Sequence, residues 1–175
     1  MKRLFFAVDV SASDKQAIAN WRDKQLALPF KAIVADNFHI TLAFLGSTTT
    51  DQQQQLMIVA NELAQHISGI NEQTLQLSHT GLFKKPQVLY LGLATCPSWL
   101  TTLAQNLSKA AIAQGLSQEN RRYCPHLSIY RKATSINQTI AIDLSIQITS
   151  FSLYQSKPSD HGVIYQPIKT YSLIK

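Results

Sequence analysis

The chain has little from which to build a metal cluster, a disulfide framework or a membrane anchor. Its 175 residues include two cysteines, Cys96 and Cys124, without CxxC spacing or a disulfide-rich setting, a usage that fits a reducing cytoplasm. No H-x₃-H, CxxC or carboxylate cluster accompanies a histidine, so no metal is expected. The absence of a G-x-S-x-G elbow disfavours a Ser/His/Asp triad. Low-complexity tracts, charge blocks and flexible linkers are missing too, which leaves one domain, or two small lobes sharing one fold. Met1 to Val8 has the basic-then-apolar order of an export signal. Asp9, however, cuts its apolar run to about five residues, where a signal needs ~7–15. The uncharged run from Val88 to Ser108 is long enough to consider as a membrane span, but Cys96-Pro97-Ser98, Thr101, Thr102, Gln105 and Asn106 argue against one. Negative charge is also scarce: ten acidic residues against sixteen basic ones give +6, a mild bias toward anionic partners such as RNA or nucleotides.

What remains is an α+β pattern. Leu4 to Val10 reads as a strand covered on both faces. Ser13-Asp14 offers an N-cap for a helix to about Leu28, with Ile18, Trp21 and Leu26 on its buried side. After a short strand at Ile33-Val34, Phe38 to Gly46 forms a longer one. Thr50-Asp51 caps a helix to about Ile67, and Gly69 is its expected stop. Leu75–Phe83 and Gln87–Ala94 pair as strands around Lys84-Lys85-Pro86. A third helix runs from Trp99 to about Gln114. Two long strand-like runs, Ile142–Gln155 and Val163–Ile174, close the chain around a turn at residues 157–162.

Two strands carry the chemistry. Phe38-His39-Ile40-Thr41-Leu42-Ala43-Phe44-Leu45-Gly46 and Pro125-His126-Leu127-Ser128-Ile129-Tyr130-Arg131 each hold a histidine, one apolar residue and a hydroxyl, half a chain apart. Side chains two residues apart share a strand face. His39 and Thr41 therefore point together, as do His126 and Ser128, while Ile40, Leu42, Leu127 and Ile129 enter a core. A pair of imidazoles near pH 7 can hold one base and one acid at once, which a phosphodiester displacement needs. The hydroxyls can donate to phosphate oxygens as charge builds. A single H-x-T is ordinary strand polarity; two copies with matched apolar flanks point to a site. The residues alone leave open which imidazole is the acid.

These motifs, in this order, resemble the paired H-x-[ST]-x signature of the 2H phosphoesterases. Within that superfamily the chain is similar to the bacterial RNA 2′,3′-cyclic phosphodiesterases, also called LigT-like 2′–5′ RNA ligases. Arg3-Leu4-Phe5-Phe6-Ala7-Val8-Asp9, Ala35-Asp36-Asn37, Val88-Leu89-Tyr90-Leu91-Gly92-Leu93, Arg121 and Phe151-Ser152-Leu153-Tyr154-Gln155-Ser156 extend the likeness over nearly the whole chain. The resemblance implies a single domain, 1–175, of two pseudo-two-fold lobes, with antiparallel sheets lining a central cleft and helices outside. It implies hydrolysis of an RNA 3′-terminal 2′,3′-cyclic phosphate to a 2′-phosphate, possible reversal to a 2′–5′ linkage, and no metal or cofactor. His39 would be the proton donor, His126 the proton acceptor, and Thr41, Ser128 and Arg131 the phosphate ligands. A cytoplasmic monomer acting on RNA ends is expected. The rivals are a relative acting on small cyclic nucleotides and a non-catalytic module that binds RNA ends.

Two departures stand out: Ser128 where Thr is commoner, and Arg122 where relatives tend to carry Pro. Strand parity puts Arg131 on the face opposite His126, so only a bulge or the strand end can bring it to the site. Phe44, at the equivalent place in the first motif, reads as core rather than as a base-stacking ring. Tyr123 and Tyr154 read as strand packing or as base platforms, and Lys84, Lys85, Arg121 and Arg122 as solvated residues or RNA-backbone contacts. His66, His79 and His161 read as structural or incidental, with a place at the cleft edge left open for His161.

Overall fold

A computed structural model describes residues 1–67, 73–136 and 140–174; Gly69 and the end of the loop before Ile140 lie outside them. Among the described residues, nine strands and three α-helices follow one another: β1 (Lys2–Val8), α1 (Ala12–Trp21), β2 (Lys31–Ala32), β3 (Ile40–Thr48), α2 (Thr50–Ile67), β4 (Thr74–Phe83), β5 (Val88–Leu93), α3 (Ser98–Ala113), β6 (His126–Arg131), β7 (Leu144–Gln147), β8 (Ser150–Ser159) and β9 (Gly162–Ser172). This is the α+β class the pattern implies. All strand pairings are antiparallel, in the order β7-β4-β5-β6-β3-β1-β8-β9, with β2 added against β6.

The centre of that order is the two motif strands, which lie side by side and touch through one pair, Ile40–Leu127. Outward from it run β3-β1-β8-β9 on one side and β6-β5-β4-β7 on the other. The two four-strand halves are therefore related by an approximate two-fold axis through that pair. The chain does not fill them in turn, because its last two strands complete the first half. The long run from Ile142 to Gln155 is accordingly two strands, not one. It breaks at Ile148-Thr149, where β7 leaves the β4 edge and β8 crosses to β1. Across the break the buried apolar residues change parity, from Ile146 and Ile148 to Phe151 and Leu153. The closing turn is also tighter than expected. Ser159 pairs with Gly162, whose φ of 123° suits glycine alone, and Pro158 lies within β8.

One core fills the space between sheet and helices. Leu4, Phe6 and Val8 from β1, Ile40 and Leu42 from β3, and Leu127 and Ile129 from β6 are all buried in it. Helix α3 contributes Leu100, Leu103, Leu107 and Ala111, and α2 contributes Leu56, Ala60 and Ala64. The caps sit slightly upstream of those expected. Ser11 Oγ accepts from the Asp14 amide, and Thr49 and Gln52 exchange side-chain and amide hydrogen bonds. After Trp21 the first helix widens into a π-turn, Arg22–Leu26, which turns Arg22 into the core. Among the described residues no helix is long and apolar enough to cross a membrane.

Candidate active site

The cleft face of the sheet gathers the residues that the two motifs single out. His39, Thr41, His126, Ser128 and Arg131 all line one cleft of about 870 Å³. The two rings are held alike. Asn37 and Cys124 carbonyls can only accept, so His39 and His126 each donate from Nδ1, at 2.7 and 2.8 Å. Either neutral ring then carries its lone pair on Nε2. At His39 that nitrogen accepts from the Thr41 hydroxyl at 3.0 Å. The Asn37 side chain donates to the Val163 carbonyl at 2.8 Å, tying the His39 support to the β8–β9 hairpin.

Aromatic rings wall each imidazole. Phe5 and Tyr165 stand 5.0 and 5.1 Å from His39, Tyr165 edge-on. Phe83 and Tyr90 stand 4.8 and 5.3 Å from His126. Tyr90 needs Gly81 beneath it, where a Cβ would come within 2.3 Å of its ring. Sequence reading gave none of these four a place at the site. They come from strands distant along the chain, so register rather than motif brings them there.

Burial favours the uncharged rings. It lowers His39 from 6.5 to about 4, against the Asn37 carbonyl, and the nearby charges of His126, Lys15 and Arg131 push the same way. His126 is lowered as well, first by burial and then by Arg121, against the Cys124 carbonyl. In the free protein at neutral pH both rings are therefore bases.

Two bulges decide what else reaches the cleft. Between β5 and β6, Leu89 pairs with Tyr130 but Tyr90 with Ser128, so Ile129 is the extra residue. That slip turns Arg131 to the face of Ser128, as a phosphate ligand there requires. Arg131 donates to the Tyr165 hydroxyl at 3.2 Å. Beneath the bulge, buried Arg22 donates to the carbonyls of Ile129 and Ile33, and packs against the Phe38 and Tyr130 rings at 5.4 and 5.5 Å. The second bulge corrects the reading of Phe44 as core. Phe6 pairs with Ala43 and Ala7 with Thr41, and the skipped Leu42 swings Phe44 into the cleft, 48% exposed.

The remaining candidates sort by contact. Tyr123 donates to the Thr41 carbonyl at 2.9 Å and is a strut for β3. Tyr154 stacks on Phe5 and donates to Asp9, which Ser150 and Ser152 also reach. Burial, then Asp9, raises its phenol. Both are packing groups. Arg121 lines the cleft, paired with Glu119 and 5.9 Å from the Phe83 ring, and Lys85 lines it too. Arg122 is exposed. His79 packs over Gly92, His66 donates to the Glu62 carbonyl of its own helix, and His161 is exposed in the β8–β9 turn. Among the described residues no three His, Cys, Asp or Glu side chains gather into a group that could hold a metal.

Known proteins share this construction. The family model described as LigT like Phosphoesterase matches residues 8–90. The RNA 2′,3′-cyclic phosphodiesterase of Escherichia coli K12 is 32% identical over 176 residues, covering 98% of this chain and 97% of its own length. Escherichia coli LigT complexed with 3′-AMP superimposes with a TM-score of 0.85 at 31% identity, covering 98% of each chain. Its apo form gives 0.83 at 30%, covering 99% of this chain and 98% of the other. With the paired histidine strands at its centre and a full-length relative at that identity, the chain belongs to the LigT-like phosphoesterase family.

Proposed function

We propose that the protein hydrolyses the 2′,3′-cyclic phosphate at the 3′ end of RNA, leaving a 2′-phosphate. The observation that carries this reading is the pair of imidazoles, both Nδ1-anchored, that offer Nε2 to one cleft with a hydroxyl two residues on. His126 takes a proton from water as its oxygen attacks phosphorus. Thr41 and Ser128 donate to the non-bridging oxygens, whose charge grows as the bond to the 3′-oxygen breaks. Protonated His39 gives its proton to the departing 3′-oxygen, and the diester has become a 2′-monoester. The same displacement with a 5′-hydroxyl in place of water would form a 2′–5′ linkage.

The acid role requires a protonated ring that the free protein disfavours. A bound phosphodiester anion supplies the missing charge. It attracts the proton to His39, and by pairing with Arg131 it offsets one of the cations that depress that ring. The His39–Thr41 hydrogen bond then gives way, freeing the hydroxyl for phosphate and Nε2–H for the leaving oxygen. The mild positive charge and the cations at the cleft rim suit an RNA strand, and the exposed free thiols of Cys96 and Cys124 suit a cytoplasmic protein. We read the chain as one two-lobed domain acting as a monomer.

The test is turnover of an oligoribonucleotide with a cyclic end, alongside the matching nucleoside cyclic phosphate, with the product assayed for 2′- against 3′-phosphate. A 2′-phosphate, formed undiminished in EDTA and faster from the oligomer, is expected. A 3′-phosphate would reverse the assignment of the leaving oxygen. Preference for the mononucleotide would shift the substrate class, and binding without turnover would leave an RNA-end module.

A further inference from the structure

Among the described residues Arg22 is the one Lys, Arg, Asp or Glu buried in the core, 5% exposed. Its Nη1 donates to the Ile129 carbonyl at 3.3 Å and to the Ile33 carbonyl. The Ile33 amide also donates to the Ile129 carbonyl, at 3.0 Å, so that oxygen is filled by a β2 amide and by the guanidinium. A buried guanidinium is costly to desolvate, and an apolar side chain of similar size would fill the same space. Its ion-pair partner, Asp23, is exposed and offsets little of that cost. The backbone adds to it. The Arg22 carbonyl accepts from the Ala27 amide at 3.0 Å across the π-turn, which ends with Ala27 in the left-handed region at a φ of 44°. What these donors hold is the β6 bulge. Ile129 is the residue that β5 skips, and the skip is what puts Arg131 on the face of Ser128.

We propose that Arg22 is a positioning residue for the reaction: by filling the Ile129 and Ile33 carbonyls from the core it holds the β6 bulge, and with it the aim of Arg131 at the phosphate. The proposal rests on the reading above, in which Arg131 pairs with the phosphodiester. Without Arg22 both carbonyls lose a donor, β6 returns to a regular ladder against β5, and the one-residue slip turns Arg131 to the opposite face. Leu127, paired with both Ile40 and Leu91, keeps His126 and Ser128 in place. Because β3 and β6 run antiparallel from the Ile40–Leu127 pair, Arg131 and Phe44 stand at opposite ends of the cleft, and Arg22 serves the Arg131 end.

The experiment measures KM, the pH profile of kcat and the slope of log affinity against log salt for an oligoribonucleotide with a cyclic end. It compares the wild-type protein, Arg22→Met, Arg22→Lys, Arg131→Ala, and each Arg22 variant combined with Arg131→Ala. Arg22→Met should raise KM about tenfold and lower the salt slope by about one, the loss expected of Arg131→Ala. Added to Arg131→Ala it should cost nothing more, and the pH limbs of kcat should stay in place. Arg22→Lys keeps the charge and, since both hydrogen bonds leave one nitrogen, can make either; its stem is one bond shorter, so KM should rise only about threefold. If Arg22→Met does not fold, that loss and its disappearance in the Arg131→Ala background decide the matter. A second arm needs no substrate. The nuclear Overhauser contact between Arg131 and the Tyr165 ring, whose hydroxyl lies 3.2 Å from the guanidinium, should vanish in Arg22→Met and weaken in Arg22→Lys. Losses that add in full to Arg131→Ala, or an Arg131–Tyr165 contact that survives both Arg22 variants, would overturn the proposal. So would a shifted pH limb, which would place the effect on His39 through Phe38. If Arg131→Ala itself changes neither KM nor slope while the contact still vanishes, the phosphate role of Arg131 fails and its positioning by Arg22 stands.

Discussion

Around His39 and around His126 the protein repeats one construction with different contents. Each ring donates from Nδ1 to the carbonyl two residues before it, stands between two aromatic side chains, and has a hydroxyl two residues on. Beyond that the halves diverge. Nε2 of His39 is bonded to Thr41, whereas no hydrogen bond to Nε2 of His126 is present among the described residues. Past the bulges, one half offers the Phe44 ring and the other the Arg131 guanidinium. A two-fold frame brings two equivalent groups to one phosphorus, but a displacement needs an acid on one side and a base on the other. The differences between the halves are therefore where direction is set.

Removing either ring is the harshest test of that division. His39→Ala and His126→Ala should each lower kcat by roughly 10²–10⁴-fold, about 3–5 kcal/mol of barrier. With RNA bearing a much better leaving group than the 3′-oxygen, His39→Ala should recover most of its rate and His126→Ala should not. Equal rescue of both would mean that the roles are not divided as assigned.

Acid separates the halves next. A histidine lowered from 6.5 to about 4 binds fewer protons folded than unfolded between those values, so the native state loses stability as pH falls through that window. For His39 alone the loss amounts to about 3 kcal/mol by pH 4, with none of it felt above about 6.5. Urea titrations at pH 4.5 and 7 should show a smaller drop for His39→Asn than for wild type. Because the proposed mechanism needs His39 charged and His126 neutral at once, kcat/KM should be bell-shaped with its optimum below pH 6.5. An optimum above pH 7 would show that these free-protein values do not govern the encounter with substrate.

The opposite ends of the cleft differ less. Arg131→Ala should raise KM for RNA roughly tenfold and reduce the slope of log affinity against log salt by about one. Loss of Phe44 should leave that slope unchanged. A salt slope indifferent to Arg131 would place the guanidinium on Tyr165 alone.

The motif strands were legible because a two-residue period fixes which side chains share a face. Ile40, Leu42, Leu127 and Ile129 are buried as that period requires, and His39 with Thr41, and His126 with Ser128, turn to the cleft. Periodicity does not say which strand lies beside which. Tyr165 and Phe83 therefore reach the two rings unannounced, and the run through Ile148 hides a jump from one half of the sheet to the other. Bulges escape for a related reason. Leu42 and Ile129 are ordinary apolar residues, and nothing in their type marks them as extra, yet they decide where Phe44 and Arg131 point. Buried Arg22 is the sharpest case: hydropathy puts a charge outside, and only the π-turn and two inward-facing carbonyls give it a place within.

The finest distinction is a single methyl group. Thr41 is restricted about χ1 by its β-branch and is bonded to its histidine; Ser128 lacks the β-branch. Ser128→Thr makes the halves more alike, and its hydroxyl still faces the cleft because Tyr90–Ser128 pairing fixes the strand. Holding one rotamer in advance spares a fraction of the side-chain entropy otherwise lost on binding phosphate, less than about 1 kcal/mol, so kcat/KM should rise by no more than about threefold. Thr41→Ser should fall by a comparable factor, cushioned by the hydrogen bond to His39. A Ser128→Thr variant that loses more than tenfold would show that the added methyl group meets substrate or Tyr90, and that the smaller residue is a fitted part of the second half rather than a relaxed copy of the first.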